Sequence, residues 1–138
     1  MVSVGRAVAS TVAAGLALLI LSFVVSGIFG FIFTDYNVLE LDGMRSTDDP
    51  LMIFYFIHPF FAALVYSVGF YLIKSSFSGS TVMKGIRFGL FLFLVVTLPS
   101  QFLVFSSMDY PPAFYVINLA TSIIALPVAG IIIAKIIK

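Results

Sequence analysis

The sequence predicts an all-α integral membrane protein, an antiparallel four-helix bundle threaded up-down-up-down. Three observations carry this: a composition too apolar for water, four long apolar runs, and basic residues confined to alternate breaks between them. Of 138 residues, 62% are hydrophobic and 9% charged. A soluble domain is nearer to about 45–50% apolar and about 25% charged, and a chain this small exposes too much surface to hide the difference. The length suits one domain, residues 1–138, with no internal repeat.

The first apolar run, about residues 7–33, carries no charge and is long enough to cross a hydrocarbon core of about 30 Å with some tilt. A signal peptide competes here, because Arg6 precedes the run, but its apolar region would be only about 7–15 residues long. The segment Thr34–Pro50 is the most polar in the chain and closes on Thr47-Asp48-Asp49-Pro50, an N-cap followed by proline at the first helical position. A second span follows over about 51–73. Lys74 to Lys84 forms a serine-rich turn in which Ser80 or Thr81 is the expected cap of a third span, about 85–105, with Arg87 snorkelling at its start. Ser106 to Pro112 turns the chain, and Pro111-Pro112 opens a fourth span, about 113–134. Short connections make sequential, antiparallel neighbours the expected packing.

Charge gives the orientation. Arg6, Lys74, Lys84, Arg87, Lys135 and Lys138 fall at the termini and in the second loop, and only Arg45 falls elsewhere. Lysine and arginine gather on the cytoplasmic side of cell-membrane proteins, so both termini are expected in the cytoplasm. All six acidic residues occupy the first and third loops. Asp35, Glu40, Asp42, Asp48 and Asp49 fit no EF-hand spacing; a solvated loop that caps the second helix is the expected role. Tyr36, Tyr55, Tyr110 and Tyr115 gather near the outer interface and Tyr71 near the inner one, as an aromatic belt does.

Several chemistries lack their residues. Without cysteine, thiolate metal sites, iron–sulfur clusters and disulfides have no ligands. No basic tract suggests nucleic acid, and no nucleophile–base pair suggests an enzyme. No catalytic, metal-binding or cofactor residue is expected, and no cofactor.

What remains is a layer of polar residues inside the spans. At 1.5 Å per residue, His58 lies about 10 Å below the outer end of the second span, and Gln101 and Thr97 about 6 and 12 Å below that of the third. Asn118 and Ser122 lie at about 8 and 13 Å in the fourth span and Ser26 at about 10 Å in the first. All six therefore fall in the outer half, and the inner half holds almost none. Helical spacing puts Asn118, Ser122, Ala125 and Ala129 on one face, Gly15, Ser22, Ser26 and Gly30 on another, and His58, Ala62 and Gly69 on a third. Small residues let helices approach and polar ones meet across the bundle. Two readings follow: a pocket or polar path with His58 as its ionisable member, or interhelical glue with neutral His58 bonded to Gln101, Asn118 or a carbonyl freed by Pro59 or Pro99. Pro59, Pro99 and Pro127 are expected to be static kinks. Gly85 and Gly89 form a small-xxx-small pair of the kind that dimerises helices.

The residues Ser78-Gly79, Lys84-Gly85-Ile86-Arg87-Phe88-Gly89-Leu90, Leu98-Pro99 and Gly130–Lys135, with Asp35-Tyr36 and Asp49–Met52 in the outer loop, resemble a loose group of small, uncharacterised four-span prokaryotic membrane proteins with a cytoplasmic KGxxFG. The resemblance implies the four-helix architecture and no activity. Two functions are therefore expected in this order: an accessory or structural subunit packing on a membrane-protein partner or on its own copies, then a small oligomeric carrier or channel using the outer polar layer.

Overall fold

The computed structural model describes residues 3–137. Four helices long and apolar enough to cross a bilayer make up the chain: Val4–Gly30, Pro50–Ser76, Thr81–Ser107 and Pro112–Ile136. It is a multi-pass membrane protein. The first span is α1 (Val4–Gly30) and the second is α2 (Ile53–Ile73), extended by short 3-10 turns at Pro50–Met52 and Lys74–Ser76. The third is broken into α3 (Thr81–Leu92), a π turn at Phe93–Thr97, and α4 (Leu98–Ser107); the fourth is α5 (Pro112–Ile136). Lys138 lies outside the described residues.

Helix starts follow local chemistry. Asp49 Oδ1 accepts from the Leu51 amide at 2.8 Å, with Pro50 at the first position, and Ser80 Oγ accepts from Met83 N at 3.3 Å. Ser3 caps α1 through the Arg6 amide, so this helix begins and ends about a turn earlier than the apolar run suggests. The third span starts at Thr81 rather than near residue 85, because the Ser80 cap, not the last charge, sets its beginning. Lys84 and Arg87 therefore sit within the first two turns, and Arg87 reaches back to donate to the Ser78 carbonyl at 2.7 Å.

The π turn is a response to Pro99. Proline donates no N–H and its ring crowds the carbonyl four residues back; here Leu98 N bonds instead to Phe93 O, five residues back. Wide turns of this kind are rare and often border functional sites.

Neighbouring spans run antiparallel, as their contacts require. Ser10 near the start of α1 meets Ser67 near the end of α2 at 2.7 Å, and Gly15 lies against Phe60. Gly85 and Gly89 at the start of the third span lie against Gly130 and Pro127 of α5. Lys74 Nζ donates to Ile137 O at 3.2 Å, bringing the ends of the second and fourth spans together. Arg6, Lys74, Lys84, Arg87 and Lys135 thus share one end of the bundle, called here the basic end; the loops holding the carboxylates form the acidic end.

Packing departs from the sequential order in one respect. Extensive contact joins α1 to α2, α1 to α5 and α3 to α5, whereas α2 has little direct backbone contact with the third span. Those two spans meet through rings at the basic end, Phe70 edge-on to Phe88 at 5.1 Å and Phe77 against Phe88 and Phe91. The buried core, including Ala14, Ala63, Phe70, Phe88, Leu92, Ala129, Ile133 and Ile137, is concentrated toward this end. Phe31, Phe54, Phe61, Phe102 and Phe105 point outward, the orientation expected where lipid is the solvent.

One motif is placed and one expectation is corrected. The Gly85–Gly89 pair, a small-xxx-small motif of the kind that dimerises helices, is occupied within the chain: both glycines are buried against α5. The basic half is not devoid of polar side chains. Ser10 and Ser67 are fully buried and bonded to each other, and Thr11 buries its hydroxyl close by in sequence without a partner. Serine and threonine escape notice in apolar helices because their cost is small enough to be offset by one hydrogen bond.

Candidate functional site: a polar cavity at the acidic end

Where the second and third spans part, the bundle encloses a cavity of about 840 Å³. Its walls come from all four spans: Ser22 and Ser26 of α1, His58 and Ala62 of α2, Thr97 and Gln101 of the third span, and Asn118 and Ser122 of α5. Residues 36–39 of the first loop also line it. The floor reaches Leu18, Tyr66, Ala125 and Leu126. Below it the core closes, so among the described residues the cavity is blind toward the basic end.

All six residues of the expected layer line this one space: Ser26, His58, Thr97, Gln101, Asn118 and Ser122. Alternation of burial fits that position. Thr97, last residue of the π turn, is buried; Gln101, Asn118 and Ser122 are half-buried; His58 and Ser26 are exposed.

The side chains of this layer form no hydrogen bond to one another across the bundle among the described residues. Asn118 Nδ2 donates to Phe114 O of its own helix at 2.7 Å. Ser22 Oγ donates to Leu18 O at 2.7 Å and Ser100 Oγ to Thr97 O at 3.0 Å. Gln101 buries its Oε1 with no partner. None of the hydrogen bonds among the described residues joins His58 to Gln101 or Asn118. Polar side chains inside an apolar helix commonly bond to the carbonyl three or four residues back in their own helix. A buried amide oxygen without a donor is costly.

Charge is absent from the walls. The lining contains no aspartate, glutamate, lysine or arginine, and one histidine. The acidic loop keeps its carboxylates for local structure instead: Asp49 caps the 3-10 turn Pro50–Met52 that leads into α2 and pairs with Arg45 at 2.8 Å, and Glu40 Oε1 accepts from Asn37 Nδ2 at 2.7 Å. The Leu51 amide and the Arg45 guanidinium hold the Asp49 carboxyl below its ordinary range. Over the cavity mouth, burial pushes the Tyr36 phenol up to about 12, with Tyr55 adding to the effect.

Four polar lining residues went unnamed in the sequence: Ser100, Thr121, Tyr66 and Asn37. Ser100 and Thr121 lie three residues from Thr97 and Asn118, so the helical spacing that grouped the others could have found them. Asn37 could not be found so, because its place depends on how the loop folds over the bundle. The chain matches no protein-family model, no curated protein and no solved structure.

Proposed function

We propose that this chain is a membrane-embedded binding protein, a carrier or ligand-holding subunit, whose cavity takes a small uncharged molecule through hydrogen bonds. One observation carries the reading: polar side chains from four separate helices line a single cavity of about 840 Å³, within the roughly 300–1,000 Å³ of small-molecule sites. A layer serving only to hold helices together would satisfy its members directly. One histidine without a carboxylate suits binding better than acid–base catalysis. The blind floor favours a pocket over a continuous pore. Both termini are placed in the cytoplasm and the cavity mouth on the outer side of the cell membrane, on the asymmetry of lysine and arginine.

The test is ligand-linked stability in detergent, comparing wild type with Ser122→Phe, which fills the cavity from its wall. A fraction of a membrane extract that binds at 100 times its Kd stabilises the wild type by about 2.7 kcal/mol, and Ser122→Phe loses that gain while keeping its own fold. Equal stabilisation of both, or none of either, sinks the reading. A reporter fused after Lys138 tests orientation; an external reporter refutes it.

A second reading keeps the accessory subunit. It is favoured by the second and third spans leaving each other largely uncovered, a cleft that a partner's helix would fill. A stable partner at fixed stoichiometry after mild solubilisation would select it; a chain or homo-oligomer alone with retained lipid would select the binding protein.

A further inference from the structure

The cavity is open on its side and, within largely apolar walls, carries polar side chains from all four spans, and these two properties together narrow its ligand. We infer that it takes the headgroup of a neutral, hydroxyl-bearing lipid, which enters from the bilayer between the second and third spans. The inference rests on the binding reading above and specifies its ligand and route.

Charge decides the first attribute. A phosphate or carboxylate headgroup needs a cation, and an ammonium needs an anion, because an uncompensated charge at membrane depth is expensive. The walls offer neither. Hydrogen-bond capacity decides the second. The Ser22 and Ser100 hydroxyl protons are committed to the carbonyls of Leu18 and Thr97, so both oxygens face further partners as acceptors. Asn118 spends an amide N–H on Phe114 O. Pro59 removes the helical donor to the Tyr55 carbonyl. A molecule that only accepts, such as a quinone or an alkyl ester, leaves these groups unmet. A molecule with hydroxyls meets them, and its own oxygens receive the remaining side-chain O–H and N–H groups.

The route follows from the packing. The second and third spans touch through Phe70, Phe77 and Phe88 at the basic end and separate beyond them. His58 on one side of the gap and Val96 and Ser100 on the other line the cavity yet are exposed. Outside the gap the neighbours Phe61, Phe102 and Leu103 are exposed apolar surface. A headgroup in the cavity can therefore leave its acyl chain among those of the bilayer, so the pocket need hold only the polar part.

The chain has no cysteine, which makes Val96→Cys a sole thiol on the cavity wall. Its modification by maleimide is followed in bilayer nanodiscs, after checking that the variant melts like wild type. With 1-monooleoylglycerol present the rate falls at least fivefold, whereas methyl oleate, lysophosphatidate and free glycerol leave it unchanged. Ser100→Ala weakens the protection about tenfold in concentration. Protection by methyl oleate overturns the need for donors, and protection by lysophosphatidate overturns the exclusion of charge. Protection by free glycerol, or by none of these while an extract fraction still stabilises the wild type over Ser122→Phe, overturns the lipid and leaves the binding reading standing. For the route, a membrane-partitioning pyrene maleimide labels Val96→Cys at least tenfold faster than a charged, impermeant one. Equal rates refute lateral access.

Discussion

Replacing Gly85 or Gly89 with alanine tests the tightest part of the fold. A Cβ built at Gly85 lies 2.5 Å from Ile131 Cα and 2.6 Å from both Gly130 O and Ile131 N. At Gly89 it meets the Pro127 Cα and nitrogen and the Leu126 carbonyl even more closely. These are backbone atoms, with no side chain to swing aside, so the helices must part by about 1 Å to restore ordinary carbon contacts near 3.5–4.0 Å. A gap of that size forfeits a quarter to a half of each close contact; over roughly 20–30 carbon pairs at about 0.15 kcal/mol, the loss is about 1–2 kcal/mol. Residual overpacking adds about 1–3 kcal/mol. Against this, alanine gains about 1 kcal/mol of helix propensity over glycine. The net is a destabilisation of about 1–4 kcal/mol for each variant. Gly69→Ala is the control, since its added Cβ meets only Phe88 Cζ at 4.0 Å, and it is neutral or stabilising by up to about 1 kcal/mol. Reversible unfolding by sodium dodecyl sulfate in mixed micelles gives all three values on one scale. If Gly85→Ala and Gly89→Ala are as stable as Gly69→Ala, the backbone contact does not exist. If they shift a dimer to monomer without loss of stability, the face belongs to a second copy.

Three further outcomes are expected. Alanine at Ser10 and at Ser67, alone and together, returns a coupling energy of about 0.6 kcal/mol in a double-mutant cycle, the typical worth of an interhelical hydrogen bond in a membrane; a zero coupling would deny the 2.7 Å contact. Asp49 has its folded pKa depressed by the Leu51 amide and by Arg45, so its stabilising contribution is present above the ordinary carboxylate range and is lost as pH falls through the depressed value. Protection of the amides at the start of the second span, taken against the intrinsic exchange rate at each pH, should accordingly fall in acid in the wild type and be low already at neutral pH in Asp49→Ala; unchanged protection in the variant counts against the cap. The Tyr36 phenol, raised to about 12 by burial and Tyr55, ionises after an exposed tyrosine in an ultraviolet titration, and Tyr36→Phe reduces the late component by one tyrosine; an undiminished late component would mean that the loop does not cover the cavity.

The spans, their caps and the polar layer were legible because each depends on local chemistry. Asp49-Pro50 and Pro111-Pro112 announce helix starts whatever surrounds them, and depth along a helix is fixed by its rise. Partners were not legible, since they depend on how far apart helices stand. Nothing local distinguishes an Asn118 that bonds across a bundle from one that bonds to Phe114 O. The same limit hid the fate of Gly85 and Gly89: a small-xxx-small face states that something packs closely on it, and only the fold identifies α5 as that neighbour. Pro99 was read as a kink, yet its missing donor was absorbed by a π turn, a choice set by packing on either side.

Stiffness is distributed unevenly along the bundle as a result. At the basic end, glycine-mediated backbone contact and bonded serines resist any change in helix spacing, because small displacements there meet hard repulsion. At the acidic end the second and third spans are opposed by a cavity and by fluid chains, and the restoring force between them is soft. Lateral pressure from the bilayer therefore acts on the molecule as on a tuning fork held at its stem. Changes in lipid thickness or packing should move the two tines about the Phe70–Phe88 contact while the stem keeps its shape.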